Sequence, residues 1–189
     1  MSDTKKNIIE AIRFTVTVFV LWLIIRLFVV QPFLVDGASM SPNFETNDYL
    51  LIDKFSYFTH SPSRGDVIVF KFPGDTKKYF IKRVIGLPGE TVTVRDGITT
   101  VKKLDGSTVT INESFVANKS DVEAKELTLT NTEYFVMGDN RGQSYDSRAW
   151  GPLDKKYISG HALVRLFPFN KIVLNPAGLK HFNITNIEQ

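Results

Sequence analysis

Ser39 is the hydroxyl this sequence presents most plainly as a nucleophile. It lies in Val35-Asp36-Gly37-Ala38-Ser39-Met40-Ser41-Pro42, directly after the only long apolar run of the chain. Gly, Ala and Ser together also mark ordinary turns, so the serine acquires chemical meaning only with an activating partner. That partner is a histidine, a neutral lysine or a metal ion. The three histidines, His60, His161 and His181, are isolated in the sequence, and none has metal-ligand spacing. No glycine-rich phosphate loop or dinucleotide fingerprint is present. Zero cysteines exclude disulfides, thiolate metal sites and a cysteine nucleophile. No cofactor and no metal are expected.

Lys82 is the better activating group. It falls in the run Lys78 to Ile85, which reads as a strand, where alternation puts Lys82 on one face with Phe80 and Val84. An amine between two apolar neighbours loses hydration, and that favours its neutral form. From a reference pKa near 10.4, reaching about 7 costs roughly 4 to 5 kcal/mol. The competing reading is a lysine that reaches solvent from an edge strand.

The elements that must position these groups follow from the apolar pattern. Residues 14 to 30 are apolar but for Arg26 and a few hydroxyls, and as a helix they cover roughly 25 Å. They are read as a single transmembrane helix, with 1–13 as a cytoplasmic tail and 31–189 as an extracytoplasmic domain. Lys5, Lys6 and Arg13 precede the run, whereas Gln31 to Leu50 holds no Lys or Arg, which sets this orientation. A cleaved secretory signal is the alternative, with small residues on offer at Val35 to Ala38. The apolar run is longer than such signals carry, and that cut would destroy the surroundings of Ser39.

The remaining residues suit one domain. Fifteen Phe and many Val and Ile, with turns at Pro73-Gly74, Asp96-Gly97 and Asp105-Gly106, predict a mainly β fold of antiparallel sheets. Residues 91–133 alternate Val and Thr with charges, as solvated hairpins do. The expected architecture is a small, partly open barrel-like domain. Formal charge is +3 and pI about 9.0, but two of the three net positive charges lie in residues 1 to 30. A nucleic-acid footprint is therefore not expected. Phe167 and Phe169 either pack inside or touch lipid.

Four stretches together resemble one family: Gly37 to Pro42, Arg64 to Phe70, Lys82 to Gly89 and Gly138 to Arg148. They resemble, in order, the boxes of the bacterial type I signal peptidases (leader peptidases), which are serine proteases with a Ser/Lys dyad. The last stretch is long and specific, and 91–133 matches poorly. The resemblance implies a membrane-bound serine endopeptidase that cleaves signal peptides from exported precursor proteins at the outer face of the cytoplasmic membrane. Ser39 matches the nucleophile and Lys82 the general base. Ser144 matches the serine that holds the lysine amine, Asp146 and Arg148 a supporting ion pair, and Asp139 to Arg141 the architecture around them. Substrate would bind extended, against Phe33, Val35, Gly37, Met40 and Ile81, in shallow pockets for small residues. Some relatives carry a serine as oxyanion donor two positions before the nucleophile, where this chain has Gly37. Implied partners are exported precursors and the lipid bilayer.

Two alternatives compete with this reading. A self-cleaving Ser/Lys protease of the repressor type shares the dyad, but needs a DNA-binding or cleavable segment where this chain has its apolar run. A non-catalytic membrane-anchored binding module would have no use for Ser39 and Lys82 within matching motifs.

Overall fold

The computed structural model describes residues 3–24, 30–112, 115–116, 118, 122, 124–176 and 183–186. The chain opens with helix α1 (Asp3–Ile24), on which Phe14, Val16, Phe19, Leu21 and Trp22 are exposed. The hydroxyls of Thr15 and Thr17 donate back to the carbonyls of Ala11 and Arg13 at 2.9 Å, so neither depends on water for a partner. Among the described residues no helix is long and apolar enough to cross a membrane. The apolar run expected to span continues into residues 25–29, which lie outside the described residues.

The β strands form two antiparallel sheets. Strands β1 (Val30–Leu34), β2 (Tyr49–Asp53), β3 (Val67–Phe72), β4 (Asp75–Gly86), β9 (Glu133–Met137), β10 (Leu153–Asp154) and β11 (Ile158–Phe167) make the larger sheet in the order β1-β2-β11-β3-β4-β9-β10. The short β12 (Val173–Leu174) pairs with the end of β11. The smaller sheet joins β5 (Thr91–Arg95), β6 (Ile98–Lys102), β7 (Thr108–Asn112), β8 (Ala124–Thr128) and β13 (Asn183–Asn186) in the order β13-β7-β6-β5-β8. Mainly β and antiparallel is thus correct, but the barrel-like closure is not. Among the described residues neither sheet closes, because β1 and β10 remain edges of one and β13 and β8 edges of the other.

Local sequence explains the hairpins. Asp96 and Gly97 both take positive φ (52° and 70°) between Arg95 and Ile98, the two-residue geometry that matches strand twist. The run Val67-Ile68-Val69-Phe70 is buried along its length. Its alternate side chains enter two cores, Val67 and Val69 with Leu50, Ile52 and Phe44, and Ile68 and Phe70 with Val84, Val136 and Leu153. A continuous apolar strand is what a sheet covered on both faces requires. A third cluster ties the sheets together, since Ile85, Phe135 and Met137 of the larger sheet pack with Val92, Val101 and Val109 of the smaller.

One mismatch of strand length positions the site. β4 has twelve residues, but β9 pairs with it only from Arg83 to Gly86. Residues Asp75 to Lys82 therefore keep β3 on one side and have no strand partner on the other among the described residues.

Candidate active site

Burial and register bring Ser39 and Lys82 together. Lys82 stands opposite Ile68 in the β3–β4 pair, on the face that Phe80 and Val84 share. Its side chain leaves that open edge, passes 5.3 Å from the Phe80 ring, and ends with Nζ 2.7 Å from Ser39 Oγ. The amine also donates to the Ile81 carbonyl at 3.0 Å. Lys82 is only 4 % exposed, and burial lowers its pKa to about 8, against the pull of Asp146 and Asp139 in the other direction. A lysine with that pKa is neutral about one time in ten at pH 7, roughly 200 times more often than a solvated lysine.

The backbone of Ser39 is held by the loop after β9. Asn140 donates its N–H to the Ser39 carbonyl at 3.0 Å and its Nδ2 to the Ala38 carbonyl at 3.1 Å. Gly138 lies where a Cβ would overlap the Ser39 carbonyl oxygen and Ser144 Oγ, and would come within 2.6 Å of Ser144 Cβ. Asp139 is fully buried and anchors the same loop. It accepts from Arg83 Nε at 2.8 Å and Nη2 at 2.6 Å, and from Asn43 Nδ2 at 2.9 Å. Arg83 directly follows Lys82 on β4, so one strand supplies the buried amine on one face and the anchor of the serine-holding loop on the other.

Asp146 and Arg148 close the far side of the loop. Arg148 donates to Asp146 from Nε and Nη2, both at 2.8 Å, while the Gly138 N–H donates to the same carboxylate at 3.0 Å. Burial alone would raise the Asp146 pKa, but the Arg148 guanidinium, the Ser144 hydroxyl and the Gly138 N–H together outweigh it and hold the carboxyl below its usual range. Arg148→Ala leaves a buried carboxylate without its cation, and the expected loss is about 3 to 5 kcal/mol of unfolding free energy. Urea titration of the folded variant against the unsubstituted protein checks this.

The structure separates the other candidates. Phe33, Val35, Gly37 and Ile81 line a cleft of about 310 Å³ with Ser39 and Lys82. Met40 does not reach it. Its side chain points inward from the turn after Ser39 and is packed in the core with Phe44 and Leu50. Ser144 lies beside the cleft, but its hydroxyl makes no hydrogen bond to Lys82, whose amine is engaged by Ser39 and Ile81. The Ser144 oxygen is buried without a well-formed hydrogen bond, close enough to the Asp146 carboxylate to help keep it ionised. Gly37 has φ +102°, a conformation that strains any L side chain, so this backbone disfavours a serine there. His60 is exposed at the end of helix α2 (Ser56–Thr59), and His161 sits on β11 beside the Tyr57 ring. Neither lines the cleft, and His181 lies outside the described residues.

Gly138, Arg83 and Asn43 are positioning residues that sequence reasoning had not singled out. Arg83 had a readable signal, because a second cation next to Lys82 on an apolar strand needs a buried carboxylate. Gly138 opens the stretch that carries the resemblance, but its approach to Ser39 could not be read from it, and Asn43 had no signal, since its partners Phe115 and Asp139 lie 72 and 96 positions away.

The site thus sets a buried amine against a serine hydroxyl beside a strand edge that has no strand partner among the described residues. The family described as signal peptidase, peptidase S26, matches residues 8–167. A probable signal peptidase I-1 of Synechocystis is 39% identical over 169 residues, covering 86% of this chain and 84% of that protein. A signal peptidase I of Bacillus licheniformis is 36% identical over 183 residues, covering 90% and 95%. A solved structure of a signal peptidase I from Enterococcus faecalis is 28% identical, with a TM-score of 0.43 over 54% of this chain and 97% of that one. The chain belongs to the signal peptidase family, peptidase S26, and is a serine endopeptidase of that family.

Proposed function

We propose that this chain is a membrane-anchored endopeptidase that removes signal peptides from exported precursors, with Ser39 as nucleophile and Lys82 as general base. The observation that carries this reading is the 2.7 Å approach of a buried, easily neutralised amine to a serine oxygen in the wall of a cleft. Neutral Lys82 accepts the Ser39 proton as Oγ attacks the scissile carbonyl. The resulting ammonium then returns a proton to the leaving amine. Water reverses the sequence, giving its proton to Lys82 and releasing the acyl group from Ser39. The Ser39 N–H is the first oxyanion donor. With glycine at position 37, the second is a backbone or water donor.

Substrate would add a strand along the unpaired edge of β4, where backbone hydrogen bonds give affinity and side-chain pockets give selection. Phe33, Val35 and Ile81 are partly or fully packed against the core beneath the cleft, and on this reading they form its walls for small substrate side chains. Asp146 and Arg148 order the loop that holds Ser39, with Ser144 beside the Asp146 carboxylate. The apolar run of residues 14–30 would be the single transmembrane anchor, with 1–13 cytoplasmic and 31–189 outside, as the basic flank before the run and the exposed apolar face of α1 both favour.

A precursor with Ala-x-Ala before the cut tests the reading. Ser39→Ala is expected to lower its cleavage in detergent micelles by at least about 10³-fold. Normal cleavage by that variant would end the assignment.

A further inference from the structure

The cleft beside Ser39 has two walls of different chemistry, because neighbouring residues of β4 turn to opposite faces. Ile81 packs with the core cluster of Val35, Leu50 and Val69, whereas Phe80 packs with the other, around Phe70 and Val84. On the Ile81 face the rings of Phe33 and Tyr79 meet at 5.1 Å. With Phe80, a second ring lines the cleft: that of Tyr145, from the loop after β9. Phe80 stacks on Phe72 with ring centroids 4.8 Å apart and planes at 18°, and Tyr145 meets the same Phe72 ring edge-on at 5.9 Å. Trp150 also meets Phe72 edge-on, at 5.9 Å. One buttressed aromatic group thus presents two of its rings to the cleft.

Tyr145 is 56 % exposed, yet its backbone is fixed. It lies between Ser144, whose hydroxyl is buried, and Asp146, which is fully buried and held by Arg148 and the Gly138 N–H. An aromatic side chain on an anchored loop offers a large apolar contact at little cost in entropy. A substrate extended along β4 sends successive side chains to opposite faces. With the first and third residues before the cut facing Val35 and Ile81, the second faces Phe80 and Tyr145. We infer that Phe80 and Tyr145 form a subsite for this second residue, the x of Ala-x-Ala, and that it selects a large apolar or aromatic side chain. The inference rests on the peptidase reading above and adds a preference at its middle position. A ring at x gains stacked or edge contact with Tyr145 and Phe80, which a serine cannot make.

Ala-x-Ala precursors that differ only at x test this, with the full chain in detergent micelles and kcat/KM as the readout. Phe at x is expected to be cut about tenfold more efficiently than Ser at x. Tyr145→Ala should shrink that ratio to about twofold or less, while Tyr145→Phe, which keeps the ring, should preserve it. A ratio taken on one enzyme sample does not depend on how much of it is folded, and a purely structural role for Tyr145 would lower both rates alike. Equal cleavage of the two precursors by the unsubstituted chain, or a ratio unchanged by Tyr145→Ala, would overturn the subsite. A Tyr145-dependent gain from Phe placed at the first residue after the cut, and not at x, would move the ring to the leaving-group side and overturn the assignment. Ser39→Ala separates this inference from the reading beneath it. Ser39-dependent cleavage that is indifferent to x removes the subsite alone, whereas cleavage that survives Ser39→Ala removes the peptidase mechanism and the subsite with it.

Discussion

Lys82→Met is expected to abolish cleavage and to make the protein more stable. On the proposed mechanism, the activity loss follows from removing the group that would take the Ser39 proton, a contribution of about 10² to 10⁴ in rate for general base catalysis and more where nucleophile and base act as a unit. The stability gain follows from linkage. Folding lowers the Lys82 pKa from 10.5 to about 8 because the amine is buried, so between these values the unfolded chain binds the proton that the folded chain has released. Stability therefore rises with pH across that window. Below it, the native state carries the full cost, about 3 kcal/mol at 1.36 kcal/mol per pKa unit. Methionine fills nearly the same volume without that cost. The variant should gain up to about 3 kcal/mol at pH 7 and lose the advantage by about pH 10.5. Urea titrations at both pH values check the window. In the unsubstituted enzyme, kcat/KM should climb with pH and level off above about 8, as base catalysis by an amine of that pKa requires. A flat profile from pH 6 to 10 (roughly two units either side of that pKa) would argue against Lys82 as the base, and an unchanged melting curve for Lys82→Met against its burial cost.

Gly138→Ala should be nearly as damaging to turnover, although it adds a single methyl group. That methyl would occupy the space of the Ser39 carbonyl oxygen and the Ser144 side chain. Ser144 can rotate, but Asn140 pins the backbone here, its N–H donating to the Ser39 carbonyl and its Nδ2 to the Ala38 carbonyl. The nucleophile must shift, and misplacement by about 1 Å costs on the order of 10²-fold in rate. Overpacking adds about 1 to 3 kcal/mol of destabilisation. The decisive readout is kcat, with KM for a short precursor peptide changing much less, because the cleft walls at Phe33, Val35 and Ile81 are untouched. Adding Ser144→Gly should recover only part of the activity, since the clash with the Ser39 carbonyl remains. Full recovery would show that Ser144, not the Ser39 backbone, is what Gly138 accommodates.

The fold was legible where one local rule dominates. Asp96-Gly97 specifies its hairpin through positive φ, and Val67 to Phe70 announces a strand covered on both faces through unbroken apolar character. Alternation correctly placed Lys82 with Phe80 and Val84. It could not foresee that β9 stops pairing at Arg83, because strand ends are set by partners distant in the chain. Closure failed for the same reason. A run of hairpins is compatible with a barrel or with open sheets, and only the strand orders, which leave β1, β10, β13 and β8 as edges among the described residues, exclude the barrel. Met40 shows the limit of reading pockets from adjacency, since one residue beyond Ser39 its side chain already belongs to the core.

By itself, the sequence determined the chemical types available: a serine and a lysine in recognisable surroundings, no cysteine, an apolar run with a basic flank, and strands of known period. These follow from composition and spacing, which local physics converts into elements. Only the tertiary structure decided that the Lys82 amine reaches Ser39, that Asn140 holds the Ser39 backbone with Gly138 packed against it, and that Arg83 joins that loop to the strand bearing the amine. Those outcomes depend on contacts between segments 40 to 100 residues apart. The desolvation that lowers the Lys82 pKa likewise exists only once those segments have excluded water together.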